Sequence, residues 1–179
     1  MVPPSISLVT FGFFEENLIR GIAAALQHES GFPVIHREGY MDLSDFFDPS
    51  RRQYDGNKLL KAVDVMYGEG SFRTVGLFAV DIFIPILTFI FGQAYLNGRT
   101  AIASNYRLDN EIYGMVADET LKDERFIKEV IHEAGHTFGL IHCHVPDCVM
   151  RSGTYVEDID QKSQAFCPAC RTKLEAKIT

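Results

Sequence analysis

At 179 residues, 46% of them hydrophobic and 23% charged, the chain is long enough to bury a core and has the composition of one ordinary folded domain. Its formal net charge of −7 argues against a general nucleic-acid binder, which would carry a basic patch or stripe. Residues 1–7, M-V-P-P-S-I-S, contain neither a basic n-region nor an apolar h-region, so the expected compartment is the cytoplasm.

Residues 5–12 read as a buried first strand, and residues 15–29 as a helix with Leu18, Ile22 and Leu26 on one stripe. Ser30 and Gly31 stop that helix, and a second strand is expected around residues 33–40, opening a βαβ unit. Residues 42–56 are polar and read as a loop, with Arg51 and Arg52 as solvated charges that have the reach to contact a substrate. A short helix over residues 57–67 aligns Leu60, Val63 and Tyr67, and Gly68 and Gly70 end it.

Residues 75–91 are mostly apolar. A membrane helix needs about 20 such residues with few charges, and this run is interrupted by Asp81 and Pro85. Two buried strands broken near Pro85 are predicted instead. Strands are expected over residues 74–81, 87–93 and 100–107, the last two joined through Asn97-Gly98, a pair that tolerates positive φ in a hairpin. Asp81, at the end of an apolar strand, reads as a loop-facing or hydrogen-bonded carboxylate before a catalytic one.

The segment from residue 132 to 143 reads H-E-A-G-H-T-F-G-L-I-H-C. On a helix, His132 and His136 share one face and can reach a single Zn²⁺. Glu133 stands beside them as a carboxylate for general base work, and Gly139 suits a sharp left-handed turn that returns His142 as a third ligand. Three protein ligands and an open position are the pattern of a catalytic zinc. Asp118 or Thr120 caps this helix, and Phe126, Ile127, Val130, Ile131 and Ala134 supply its buried side. A Glu further downstream, Glu157, is a rival third ligand that the Gly139–His142 spacing disfavours.

All four cysteines fall within the last 37 residues. Cys143, Cys148, Cys167 and Cys170 carry the spacing of a closed four-thiolate structural zinc, with His144 as an alternative ligand. A last helix is expected over residues 158–177, with Cys167 and Cys170 inside it or at a break near Pro168.

The whole pattern, H-E-x-x-H-x-x-G-x-x-H-C-x-x-x-x-C-x-M…C-x-x-C over residues 132–170, resembles the archaemetzincin family of metzincin zinc peptidases. The resemblance implies an α/β (α+β) fold: a mixed twisted sheet with packed helices, including the zinc-binding active-site helix, and a small zinc-stabilised helical part at the C-terminus. It implies a single catalytic domain over residues 1–179, with an N-terminal part at 1–140 and a C-terminal part at 141–179. It makes Met150 the Met-turn residue beneath the histidines, and Glu133 the general base and acid of peptide-bond hydrolysis. It also implies two zinc ions per chain: one on His132, His136 and His142, and one on Cys143, Cys148, Cys167 and Cys170.

The expected partner is a peptide or protein substrate laid along an edge strand between residues 87 and 107, with neither nucleic acid nor membrane. Tyr155 reads first as a packing residue and second as an oxyanion donor. Endo- and aminopeptidase modes both stay open, with Asp81, Glu111 and Asp118 as candidate anchors for a substrate amine. The runner-up function is a catalytically silent zinc protein that binds peptides in the same groove.

Overall fold

The computed structural model describes residues 4–178; the leader reading at residues 1–3 lies outside them. β1 (Ile6–Phe11) is buried along its whole length, as befits a parallel strand with neighbours at both edges and helices on both faces. α1 (Glu16–Ser30) buries Leu18, Ile22 and Leu26, one residue per helical turn. The chain then returns as β2 (Val34–Gly39), parallel to β1 from Ile6 opposite Val34 to Phe11 opposite Gly39.

β5 (Arg73–Phe78) lies parallel to β1 on its other side, β8 (Thr100–Ser104) lies parallel to β5, and β7 (Gly92–Ala94) closes the sheet antiparallel to β8. The order is β2-β1-β5-β8-β7, a mixed sheet with β7 at one edge. Strand alternation divides the core into two layers. Ile6 and Leu8 pack with α1 and α3 (Glu119–Thr137), whereas Val9 and Phe11 pack with Leu59, Leu60 and Val63 of α2 (Gly56–Tyr67). In the hairpin before β8, Asn97 takes φ 55° and the Gly98 N–H donates to the Tyr95 carbonyl at 2.8 Å, as its sequence predicts.

Three expectations need correction. First, residues 42–56 are not a bare loop. They form a 3-10 turn (Leu43–Phe46) and two strands, β3 (Phe47–Asp48) and β4 (Gln53–Asp55). These join β6 (Ile82–Phe83) in a small sheet of order β3-β4-β6. Asp48 shapes the β3–β4 turn by accepting from the backbone N–H groups of Ser50 at 2.9 Å and Arg51 at 3.2 Å, a side-chain turn of the kind aspartate favours.

Second, Arg51 is not simply a solvated charge. Its guanidinium carbon stands 4.1 Å from the Phe83 ring centroid, and it donates to the carbonyls of Leu87 at 2.6 Å and Thr88 at 3.2 Å. It thereby holds the loop after β6. That loop replaces most of the strand expected at 87–93; only an isolated Ile82–Ile90 bridge remains beside β7. Ile86 is 86% exposed, so the apolar run supplies a loop surface as well as core. The strands expected at 74–81 and 100–107 end early, at Phe78 and Ser104.

Third, the one helix expected over residues 158–177 is two, parted at the break expected near Pro168. α4 (Val156–Gln161) and α5 (Pro168–Ile178) are separated by residues 162–167, because Pro168 has no N–H to continue a helix and suits a first position. No helix among the described residues is long and apolar enough to cross a membrane.

Asp118 caps α3, accepting from the Leu121 N–H at 2.9 Å. Asp118→Ala is expected to lower the unfolding free energy by about 1 kcal/mol. Urea denaturation measures this, and an unchanged midpoint with an unchanged slope contradicts the capping role.

Candidate active site

α3 puts its polar residues on one side and its apolar residues on the other. Phe126, Val130, Ile131 and Ala134 are buried in the main core, while His132, Glu133 and His136 face the last strands of the sheet and the C-terminal loops. The helix stops at Thr137. Gly139 then takes φ +84°, a conformation that costs an L side chain energy and glycine very little. This turn returns the chain so that the Leu140 carbonyl accepts from His136 Nδ1 at 2.7 Å. The Val149 carbonyl accepts from His132 Nδ1 at 2.8 Å.

A carbonyl oxygen only accepts, so both Nδ1 atoms carry the proton and both Nε2 lone pairs are free. The two Nε2 atoms lie 3.1 Å apart, and the three imidazoles offer ligand atoms within 4.8 Å of one another. Metal–nitrogen bonds of about 2.0–2.1 Å give tetrahedral edges of about 3.3 Å, so these residues fit a zinc ion. Backbone carbonyls behind ligating imidazoles are the usual way to fix tautomer and ring orientation. Burial pushes the pKa of all three histidines down, most strongly that of His132, which favours the neutral imidazole that a metal would need.

Glu133 is buried, and burial together with the neighbouring Glu129 carboxylate pushes its pKa well above the usual carboxylate range. It lies against the sheet edge, where a Cβ at Gly92 would stand 2.5 Å from Glu133 Cγ. Only glycine leaves room for that approach. Two cavities meet at Glu133 and His142. One, of about 370 Å³, is lined by the loop before β7, by Glu129 and His132, and by Ser152–Tyr155 and Lys162. The other, of about 430 Å³, runs along β7 past His136 and Ile141.

Met150 is fully buried and packs on α3 between the two helical histidines: a Cβ at Gly135 would stand 2.5 Å from Met150 Sδ. Tyr155, expected first as a packing residue, is 64% exposed at the rim of the first cavity. Asp81 is bound by Arg107 through Nε at 2.8 Å and Nη2 at 2.5 Å, which is the hydrogen-bonded reading. Asp81, Glu111 and Asp118 line neither cavity. His144 and Glu157 stand outside both groups of possible metal ligands among the described residues.

The second group is Cys143, Cys148, Cys167 and Cys170, whose sulfurs lie within 4.8 Å of one another. The Cys143–Cys167 and Cys148–Cys170 pairs are both 3.8 Å apart. This matches the edge of about 3.8 Å that follows from zinc–sulfur bonds of about 2.3 Å, and it is far beyond a disulfide bond length. Burial pushes the Cys167 thiol up, but the Cys170 backbone N–H and the neighbouring thiols outweigh it and bring it down to about 7. The Val145 and Cys167 N–H groups donate to the sulfurs of Cys143 and Cys148 at 3.5 and 3.4 Å, bonds that favour thiolates.

The family model for peptidase family M54 matches residues 20–176. The chain belongs to peptidase family M54. It is 34% identical over 175 residues to an archaemetzincin of Thermococcus kodakarensis, covering 94% of both chains. It is 40% identical over 144 residues to one of Pyrococcus horikoshii, covering 78% of this chain and 77% of that one. Among solved structures it resembles the archaemetzincin of Methanopyrus kandleri, with a TM-score of 0.86 at 31% identity and 99% coverage of both. It also resembles a zinc-dependent peptidase of Methanocorpusculum labreanum, with a TM-score of 0.82 at 30% identity, covering 95% of this chain and 100% of the other. As a member of the family the chain is a metallopeptidase, and its fold is the archaemetzincin fold.

Sequence reasoning missed Arg125, Glu129 and Lys162, all buried. Arg125 forms a two-bond pair with Asp160, both at 2.7 Å. Lys162 lies 3.1 Å from Glu129. A signal existed: Arg125, Glu129, His132 and His136 recur every three or four residues, so a charged stripe runs along the same helix face as the motif. Gly92→Ala should displace Glu133 and lower peptide hydrolysis by at least about tenfold, measured as kcat/KM on a fluorogenic peptide. A variant as active as the wild type contradicts the close packing of β7 on Glu133.

Proposed function

We propose that this metallopeptidase acts as a zinc-dependent endopeptidase. His132, His136 and His142 would hold the catalytic zinc, Glu133 would be the general base and acid, and Cys143, Cys148, Cys167 and Cys170 would hold a second, structural zinc. The observation that carries the reading is the convergence of three imidazoles, two with Nε2 freed by Nδ1 bonds to carbonyls, beside a buried carboxylate. When bound, the zinc supplies Lewis acidity, making water nucleophilic near neutral pH and polarising the scissile carbonyl. Glu133 takes the proton of the attacking water on its carboxylate and delivers it to the departing amine nitrogen.

Among the described residues β7 has a free edge, because its ladder partner there is β8 alone. A substrate in extended conformation pairs with that edge, and main-chain hydrogen bonds then position the scissile bond over Glu133. The cleft continues on both sides of Glu133 and His142, which favours cleavage within a chain. An aminopeptidase needs an unneutralised acid beside the substrate amine. Asp81 is bound by Arg107, Asp118 caps α3, and Glu129 is paired with Lys162. The end of α3 at Thr137 supports a division of the single domain near residue 140.

Three neutral imidazoles hold a metal more weakly than four thiolates. Titration with a mild chelator is therefore expected to remove the histidine-bound zinc first and leave the cysteine-bound one, followed by metal analysis alongside hydrolysis. Simultaneous loss of both metals contradicts the assignment. Glu133→Ala should abolish hydrolysis of a mixed peptide library, a loss of at least about 10²-fold, while its metal content stays at the wild-type level. Wild-type protein that retains peptides without cleaving any of them would favour the silent peptide-binding reading.

A further inference from the structure

The cavity beside Glu133 has a charged floor. Its rim is exposed, as Tyr155 is, while Glu129 and Lys162 are 5% and 3% exposed and form its bottom. Phe89 and Phe91 lie along its wall. Lys162 Nζ stands 3.1 Å from Glu129 Oε1 and donates to the Arg151 carbonyl at 3.1 Å. An ammonium has three N–H groups and the Arg151 carbonyl takes one, so donor capacity remains beside the Nζ–Oε1 ion pair. Glu129 Oε1 is buried without a well-directed hydrogen bond, and the carboxylate makes no other hydrogen bond among the described residues. The floor therefore keeps donor and acceptor capacity side by side.

A buried ion pair is seldom worth more to stability than an apolar pair of the same volume. Its position in the cleft therefore points to recognition. The pair is neutral as a whole. An incoming ammonium or carboxylate would add an uncompensated charge to a buried site, which is costly. An aliphatic side chain would leave the free donor and acceptor shut away from water. A carboxamide is neutral and offers one acceptor and two donors, which matches what the floor has left.

We propose that Glu129 and Lys162 are specificity-determining residues, and that this pocket takes a substrate side chain ending in a carboxamide, glutamine or asparagine, next to the scissile bond. The proposal rests on the peptidase reading of the same cleft.

The test is a peptide library randomised around the scissile bond, profiled with the full-length, zinc-loaded protein by cleavage, and by peptide retention on Glu133→Gln. At one position the wild type should prefer glutamine or asparagine over leucine by about tenfold. Lys162→Met leaves the carboxylate alone and should shift that position to lysine or arginine. Glu129→Gln leaves the ammonium and should shift it to glutamate or aspartate. The double variant Glu129→Leu/Lys162→Met removes both charges together, so it keeps the test intact if either single variant fails to fold, and it should prefer methionine or leucine.

The same preference in the double variant as in the wild type overturns the proposal, as does a wild-type preference for aliphatic or charged side chains. Carboxamide-selective retention without cleavage supports the pocket and removes the peptidase reading. Absence of both retention and cleavage overturns both.

Discussion

One loop bears on both clusters of candidate metal ligands. The Val149 carbonyl accepts from His132 Nδ1 at 2.8 Å, and the Met150 carbonyl accepts from the Cys143 N–H at 2.9 Å. Cys148, directly before them, belongs to the four-sulfur cluster, and the Met150 side chain rests on Gly135 between the helical histidines. This stretch has no ladder of its own to define its shape. Its conformation depends on the cysteines at one end and on α3 at the other, so filling the four-sulfur cluster would also orient His132. Cys143 follows His142 in the chain, which carries the same coupling to the third imidazole.

The second constraint is the closeness of α3 to the sheet edge. Gly92 in β7 removes the side chain that would otherwise push Glu133 away. The Asn97 N–H donates to the His136 carbonyl at 2.8 Å, tying the hairpin to the end of the same helix. The edge available to an extended peptide and the carboxylate that would handle its protons are thus fixed to each other by two short contacts. The charged stripe from Arg125 to His136 faces the C-terminal segment, where Asp160 and Lys162 complete its pairing. The three charged residues sequence reasoning missed therefore join α3 to the chain that follows the histidines.

Much of this was legible in the sequence where the determining interactions are local. The opening βαβ unit follows from apolar periodicity and Gly31, the hairpin from Asn97-Gly98, and the end of α3 and the return of His142 from Gly139. The small sheet was not legible, because β4 is three residues long and its partner β6, two residues long, comes almost thirty residues later. The run at 75–91 misled for a related reason. Its apolar residues do three jobs: core in β5, support under the Arg51 guanidinium at Phe83, and the wall of a cleft. Composition does not distinguish a cleft wall from a strand. Lys162 sits in a polar stretch that reads as surface, and only its distance to Glu129 reveals that it is buried and paired.

On the proposed assignment the chain holds two metal ions in chemically distinct cages linked by one loop. Anomalous diffraction at the zinc edge from crystals of zinc-loaded protein tests this most directly. Two peaks are expected, one bounded by the Nε2 atoms of His132 and His136 together with His142, the other at the centre of the four cysteine sulfurs. A single peak, or a peak bounded by other residues such as Glu157 or His144, would contradict it.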